Sequence, residues 1–184
     1  MEFKYFDIPG VVEISPRVFG DARGAFFESF SAQKMTEAGI VGEWVQDNQS
    51  RSDRGVVRGL HFQKPPYAQA KLVRVAAGRA LDVIVDIRRG SPTYGQHLKV
   101  ELDAERYNML YVPVGFAHGF TALEDNTLFL YKCTNYYAPQ SEGGLRWNDP
   151  TLNIAWNVHE PTISAKDQVL PGLVELDSPF EFRG

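Results

Sequence analysis

Four short stretches of the 184-residue chain carry the side chains that chemistry would need. "VVRGLHFQ" sets His61 three residues after Arg58, with Lys71 ten residues further on. "YVPVGFAHGF" places His118 after a Pro-Val-Gly turn, "GDARGAFFESF" holds Arg23 and Glu28 around an apolar centre, and "VQDNQS" clusters Gln46, Asp47 and Asn48. A histidine near an arginine suits proton transfer beside a bound anion. A lone histidine in an apolar run is also the pattern of a buried structural residue. If Val57 to Gln63 is extended, a period of two puts His61 on one face with Val57, Gly59 and Gln63, and Arg58 on the other. A bulge at Gly59 would break that period and let both side chains approach a ligand.

Other chemistries fit less well. A zinc, iron or nickel site takes three or more His, Asp, Glu or Cys ligands, often as His-x-His plus a carboxylate. Here His61 is followed by Phe62 and Gln63, His118 by Gly119 and Phe120, and His97 and His159 stand in other contexts. No metal is expected. Cys133, the only cysteine, lies in the apolar run "LFLYKCTNYY", where a buried inert thiol is the default. No serine occupies a nucleophile elbow, and no Walker or GxGxxG loop marks an ATP or NAD site. Acid–base chemistry without a cofactor, using His, Lys, Tyr and carboxylates, is what remains.

These residues must be positioned by strands. "KLVRVAAG", "RALDVIVDIRRG", "HLKVEL", "NMLYVPVG" and "TLFLYKCTNYY" are rich in β-branched and aromatic residues and are separated by Gly, Pro, Asn and Asp. In "ALDVIVDIR", Leu81, Val83, Val85 and Ile87 form an apolar face, while Asp82, Asp86 and Arg88 share the other with Ile84. That polar face suits a strand lining a cavity as well as one facing solvent. Helix signals are confined to "SAQKMTEAG", ended by Gly39, and a short piece near "SAKDQ". The pattern predicts an antiparallel sandwich, barrel or jelly roll within a single domain spanning residues 1–184.

Composition limits the partners. No run approaches the length of a membrane span, the N-terminus does not read as a signal peptide, and a lone cysteine allows no internal disulfide. A cytoplasmic location is therefore expected. A net charge of -4 argues against nucleic-acid binding. Residues 51–74 nevertheless hold six basic side chains against one acidic, either a solvated basic face or the place for a small anion.

Six segments, "FGDARGAFFESF", "QDNQSRSDRGVVRGLHFQ", "KLVRV", "DVIVDIRRGSPTYG", "YVPVGFAHGF" and "YKCTNYYAPQSEGGLRWNDP", together resemble the dTDP-4-dehydrorhamnose 3,5-epimerase family. The likeness runs from about Phe19 to Asp167 in the family's order and spacing. It implies a cupin-type jelly-roll β-barrel with short flanking helices, acting as a homodimer without metal or organic cofactor. "YVPVGFAHGF" is similar to the second cupin motif, while the first motif's ligand set is absent. The substrate implied is dTDP-4-dehydro-6-deoxy-D-glucose, inverted at C3 and C5 to dTDP-4-dehydro-L-rhamnose. Relatives that invert only one of these carbons share the motifs, and a non-catalytic nucleotide-sugar-binding cupin is the reading from another class.

By the same resemblance, His61 is the base, Tyr131 the acid, and Lys71 the cation that stabilises the enolate oxygen. Asp167 pairs with His61, although Asp82 or Asp86 could also meet a barrel histidine. Arg23, Arg58, Gln46, Asp47 and Asn48 would hold the nucleotide and its diphosphate. Glu28 and Glu142 would contact polar edges, Tyr137 (beside Tyr136) would stack on thymine, Lys166 would touch the nucleotide, and His118 would lie near sugar or phosphate.

Overall fold

The computed structural model describes residues 1–183. Thirteen strands run through them: β1 Glu2–Tyr5, β2 Val12–Ser15, β3 Val18–Asp21, β4 Gly24–Phe27, β5 Gln46–Ser52, β6 Val57–Gln63 and β7 Lys71–Ala77, then β8 Arg79–Asp86, β9 His97–Asp103, β10 Met109–Val112, β11 Phe116–Ala122, β12 Thr127–Cys133 and β13 Glu142–Gly144. Two antiparallel sheets face each other, one of order β1-β2-β10-β7-β12-β5 and one of order β13-β6-β11-β8-β9, while β3 and β4 form a separate hairpin. This is the cupin-type jelly roll that the sequence predicts. The two helices also fall where expected. α1, Ala32–Glu37, starts at the Ser31 cap and is followed by Gly39 at φ +78°; α2, Ala165–Gln168, starts at Ser164, whose hydroxyl accepts from Asp167 N–H.

Apolar residues form three layers. Val73, Val75, Ile84, Leu102, Leu110, Phe116, Phe120 and Phe129 come from both sheets and fill the space between them. Val57, Leu60, Phe62, Leu81, Val83 and Val85 cover the outer face of the five-stranded sheet and are buried under Leu145, Leu152, Trp156, Leu173 and Phe180. Val12, Ile14, Leu72 and Met109 do the same for the six-stranded sheet, beneath Met35 of α1 and Ile40.

This arrangement settles the two faces of β8. Its continuous apolar face points away from the barrel, against the C-terminal segment, and its acid-bearing face points in. Asp82 and Asp86 are both fully buried. The same alternation turns Lys71 inward with Val73 and Val75, His118 inward with Phe116 and Phe120, and Tyr131 inward with Phe129.

β6 departs from simple alternation. His61 pairs with His118 and Arg58 with Phe120, so three residue steps on β6 match two on β11. The extra residue falls at Gly59–Leu60, which is the bulge that would let Arg58 and His61 share a face. Gly59 has φ +128°, and a Cβ there would stand 2.5 Å from Gly119 Cα and 2.9 Å from His118 O. Gly59→Ala is therefore expected to destabilise the fold by roughly 3 kcal/mol. A denaturant-unfolding midpoint unchanged from the parent would contradict this packing account.

Candidate functional site

A cavity of about 550 Å³ opens between the sheets and is lined by Ser50, Val57, Arg58, His61, Lys71, His118, Phe120, Phe129, Tyr131, Lys166 and Asp167, among others. Its polar walls come from opposite sheets. His61 and His118 stand on β6 and β11 of the five-stranded sheet, Lys71 and Tyr131 on β7 and β12 of the six-stranded one. Long-range pairing thus assembles residues scattered over more than a hundred positions.

A close contact ties His61 to α2. His61 Nε2 lies 2.7 Å from Asp167 Oδ1, and the other carboxylate oxygen accepts from Gly59 N–H at 3.2 Å. The carboxylate therefore holds both the ring and the bulge. Burial acts to raise the Asp167 carboxyl, but hydrogen bonding to His61, the imidazole's charge, the Gly59 N–H and Ser164 outweigh it and hold the group below its usual range. With Nε2–H given to Asp167, Nδ1 is the nitrogen left to exchange a proton with a ligand.

A second pair lies directly across the ladder. His118 Nε2 meets Asp82 Oδ2 at 2.8 Å. Burial pushes the His118 ring down, against the opposing pull of the Asp82 carboxylate. Asp82 Oδ1 and Ser50 Oγ are buried without a hydrogen-bond partner among the described residues. Sequence left open whether Asp82 or Asp86 would meet His61. Asp82 instead takes His118, and Asp86 is bound by Arg88, Ser91 and Thr93.

Burial acts in opposite directions on the two groups of the other wall. It pushes the Lys71 ammonium down, with Cys133 and Asp82 partly offsetting it. It pushes the Tyr131 hydroxyl up, helped by Cys133 and opposed by Arg58. Arg58 reaches the cavity edge on the bulge, its guanidinium donating to Ser52 Oγ at 3.0 Å and to Arg51 O at 3.4 Å. At the mouth Lys166 Nζ and Glu142 Oε2 pair at 2.5 Å, and that bond lowers Glu142 and raises Lys166.

The remaining expected residues divide. Gln46 and Asn48 bond to each other, Gln46 also accepts from Tyr137 N–H, and the Tyr137 ring is exposed. Asp47 lies one step out of phase on β5. It points to the outer face and pairs with Lys132 at 2.8 Å, so the protomer does not bring it into the cavity. Arg23 and Glu28 do not line the cavity either. Arg23 sits in the β3–β4 turn bonded to Asp21, and Glu28 pairs with Lys34. Two supports have no role assigned from the sequence: Ser52, which accepts from Arg58, and Gln63, which the period of two places on the face of His61 without indicating what it holds. Among the described residues no three His, Cys, Asp or Glu side chains gather as a metal site.

Comparison with known proteins points the same way. A family model described as dTDP-4-dehydrorhamnose 3,5-epimerase matches residues 5–175. The dTDP-4-dehydrorhamnose 3,5-epimerase of Salmonella typhimurium is 51% identical over 168 residues, covering 89% of this chain and 91% of its own. That of Pseudomonas aeruginosa is 50% identical, covering 92% and 94%. The crystal structure of a dTDP-6-deoxy-D-glucose-3,5-epimerase from Legionella pneumophila, in complex with dTDP-4-keto-L-rhamnose, superposes with a TM-score of 0.95 at 42% identity, covering 100% of this chain and 99% of that one. A 3'-monoepimerase from Streptomyces bikiniensis, in complex with dTDP-quinovose, gives 0.86 at 35% identity, covering 92% and 86%. With a barrel that sets paired imidazoles against a lysine and a tyrosine, and with relatives this close over nearly its whole length, the chain belongs to the dTDP-4-dehydrorhamnose 3,5-epimerase family of carbohydrate isomerases.

Proposed function

We propose that the chain inverts C3 and C5 of dTDP-4-dehydro-6-deoxy-D-glucose, giving dTDP-4-dehydro-L-rhamnose, and that His61, Tyr131, Lys71 and Asp167 carry the chemistry. The observation that supports this most is the placing of His61 and Tyr131 on opposite sheets, with one cavity between them. C3 and C5 both flank the C4 ketone, which acidifies their protons. His61 Nδ1 takes a proton from one face of the ring, the C–H electrons pass into the C4 carbonyl, and an enolate forms. Lys71 meets the charge on the enolate oxygen, a charge that exists only during reaction. The enolate then collapses, and its carbon takes the Tyr131 hydroxyl proton from the opposite face. Each inversion leaves His61 protonated and Tyr131 ionised, and exchange with solvent resets both.

Binding falls to the surrounding groups. Arg58 suits a diphosphate oxygen, having guanidinium donors in a fixed fork. Tyr137 offers an exposed ring to thymine, Lys166 and His118 complete the cavity wall, and Gln46, Asn48 and Glu142 stand beyond that lining, where they would meet the nucleotide end. Arg23 and Glu28 would join the site through a second copy, whereas Asp47 stays on the outer face with Lys132. The β3–β4 hairpin that carries Arg23 displays the cross-strand pair Phe19 and Phe26, the latter 71% exposed, as an unburied apolar surface. A homodimer covering that surface would bring the hairpin toward a neighbouring cavity. Among the described residues no helix is long and apolar enough to cross a membrane. A cytoplasmic role in dTDP-sugar metabolism, with no cofactor, accords with this reading.

Three outcomes test it. In heavy water, turnover of this substrate should introduce deuterium at both C3 and C5, and His61→Ala should lose this exchange while still binding dTDP. Label at one carbon alone would make the chain a mono-epimerase, and none in the parent protein would leave only the binding module.

Raising the pH removes the Lys71 charge, and burial moves that loss below the ordinary lysine range while moving Tyr131 ionisation up. The alkaline limb of kcat should therefore belong to Lys71. Tyr131→Phe should lower kcat by about 10² or more and leave that limb in place. A limb that vanished with Tyr131 would reassign it.

Phe26→Asp should convert a dimer to monomer in sedimentation and raise KM. A parent protein that already sediments as a monomer would rule the dimer out.

A further inference from the structure

Gln63 stands on β6 two residues beyond His61, on the same side of the strand, and is only 6% exposed. Its amide contacts neither the cavity nor the His61–Asp167 pair. It is spent on loop main chain instead: Nε2 donates to Tyr67 O at 2.7 Å and to Tyr136 O at 3.1 Å, while Oε1 accepts from Ala138 N–H at 2.7 Å. Tyr136 O and Ala138 N are the groups on either side of Tyr137. The N–H of Tyr137 itself donates to Gln46 Oε1 at 2.9 Å. The main chain around Tyr137 is thus held from β6 by Gln63 and from β5 by Gln46, while the ring remains 56% exposed.

Holding the main chain beneath an exposed ring this firmly has a functional sense, because it limits where the ring can go. A mobile aromatic must be ordered when a ligand arrives, and that entropy is subtracted from affinity; one already ordered incurs no such loss. The side chain is also suited by type. One primary amide supplies two donors and an acceptor, which matches two carbonyls and one N–H, and the shorter Asn would fall a methylene short. β6 moreover carries Arg58 and His61, so the strand that presents the anion contact and the base also registers the loop.

We propose that Gln63 is a positioning residue for the nucleotide end of the substrate, acting through the main chain around Tyr137 to fix where that ring meets the nucleobase. This rests on the stacking role given to Tyr137 above. Gln63→Leu is expected to raise KM for the dTDP-sugar about tenfold, the order expected for a lost base–aromatic stack, with kcat within about twofold of the parent. Gln63→Glu keeps an acceptor for Ala138 N–H at the same size but loses the donors, so it carries the same KM-against-kcat test should the leucine variant not fold. Combined with Tyr137→Ala, either change should add nothing to the KM of Tyr137→Ala alone. A kcat that falls as far as kcat/KM, or effects that add in the double variant, would overturn the clamp. So would an unchanged KM in both Gln63 variants while Tyr137→Ala raises it. If Tyr137→Ala itself leaves KM unchanged, the stacking reading fails and the positioning role falls with it.

Discussion

The close approach of β6 and β11 at Gly59 and Gly119 is the constraint from which the site follows. A Cβ on Gly119 would stand 2.5 Å from Arg58 O, and one on Gly59 would strike Gly119 itself. Two bare backbones can pass there, and two ordinary residues cannot. The passage absorbs the extra residue of β6, so that Arg58 and His61 both look inward while Val57, Leu60 and Phe62 stay in the outer apolar layer. Asp167 then accepts from the bulge's own N–H and from the His61 ring, fastening α2 to the strand it serves. The position of the imidazole is set by backbone sterics first and by its carboxylate second.

Once turned inward, the polar groups act on one another because water is scarce around them. Burying a charge is costly unless it is matched, and each of the two cavity imidazoles is matched with a carboxylate: His61 with Asp167, His118 with Asp82. Lys71 is less well compensated, and burial presses it toward releasing its proton while pressing Tyr131 to keep its own. On the proposed mechanism the two tendencies act differently. A lysine less attached to its proton shares it more readily with an oxygen gaining negative charge, whereas a tyrosine held protonated stays available as the acid but gives its proton up less readily, which a basic enolate carbon must overcome. The Phe-rich layer between the sheets contributes by closing the rest of the interior to solvent.

Much of this was legible in the sequence, for identifiable reasons. Strand patterning and Gly–Pro punctuation indicate a β barrel, and Ser31, Gly39 and Ser164 mark the ends of the helices. The direction of β8 was not legible, because an apolar face reads the same whether it meets a barrel interior or an overlying C-terminal segment. Nor could spacing choose between a regular and a bulged β6, since the choice depends on Gly119, sixty positions away. The grouping of Gln46, Asp47 and Asn48 failed at Asp47 for the opposite reason: β5 is regular, so consecutive residues cannot all face the same way. Gln63 looked like a plain strand residue because its partners are main-chain groups, which leave no trace in side-chain types.

The same geometry explains why these motifs do not distinguish double from single epimerisation. C3 and C5 lie on either side of C4, and in this substrate both their hydrogens stand on one ring face. On the proposed mechanism one base on one wall and one acid on the other can serve both carbons if the ring shifts between them with that face kept toward His61. On the proposed roles, His61, Tyr131 and Lys71 are needed equally for one inversion or two. On that mechanism, what limits the second is the room the ring has to shift, set by the walls between the reacting groups, where Phe120 and Phe129 stand beside Ser50. On that proposal, regiochemistry follows cavity shape at apolar positions, with the ionisable residues unchanged.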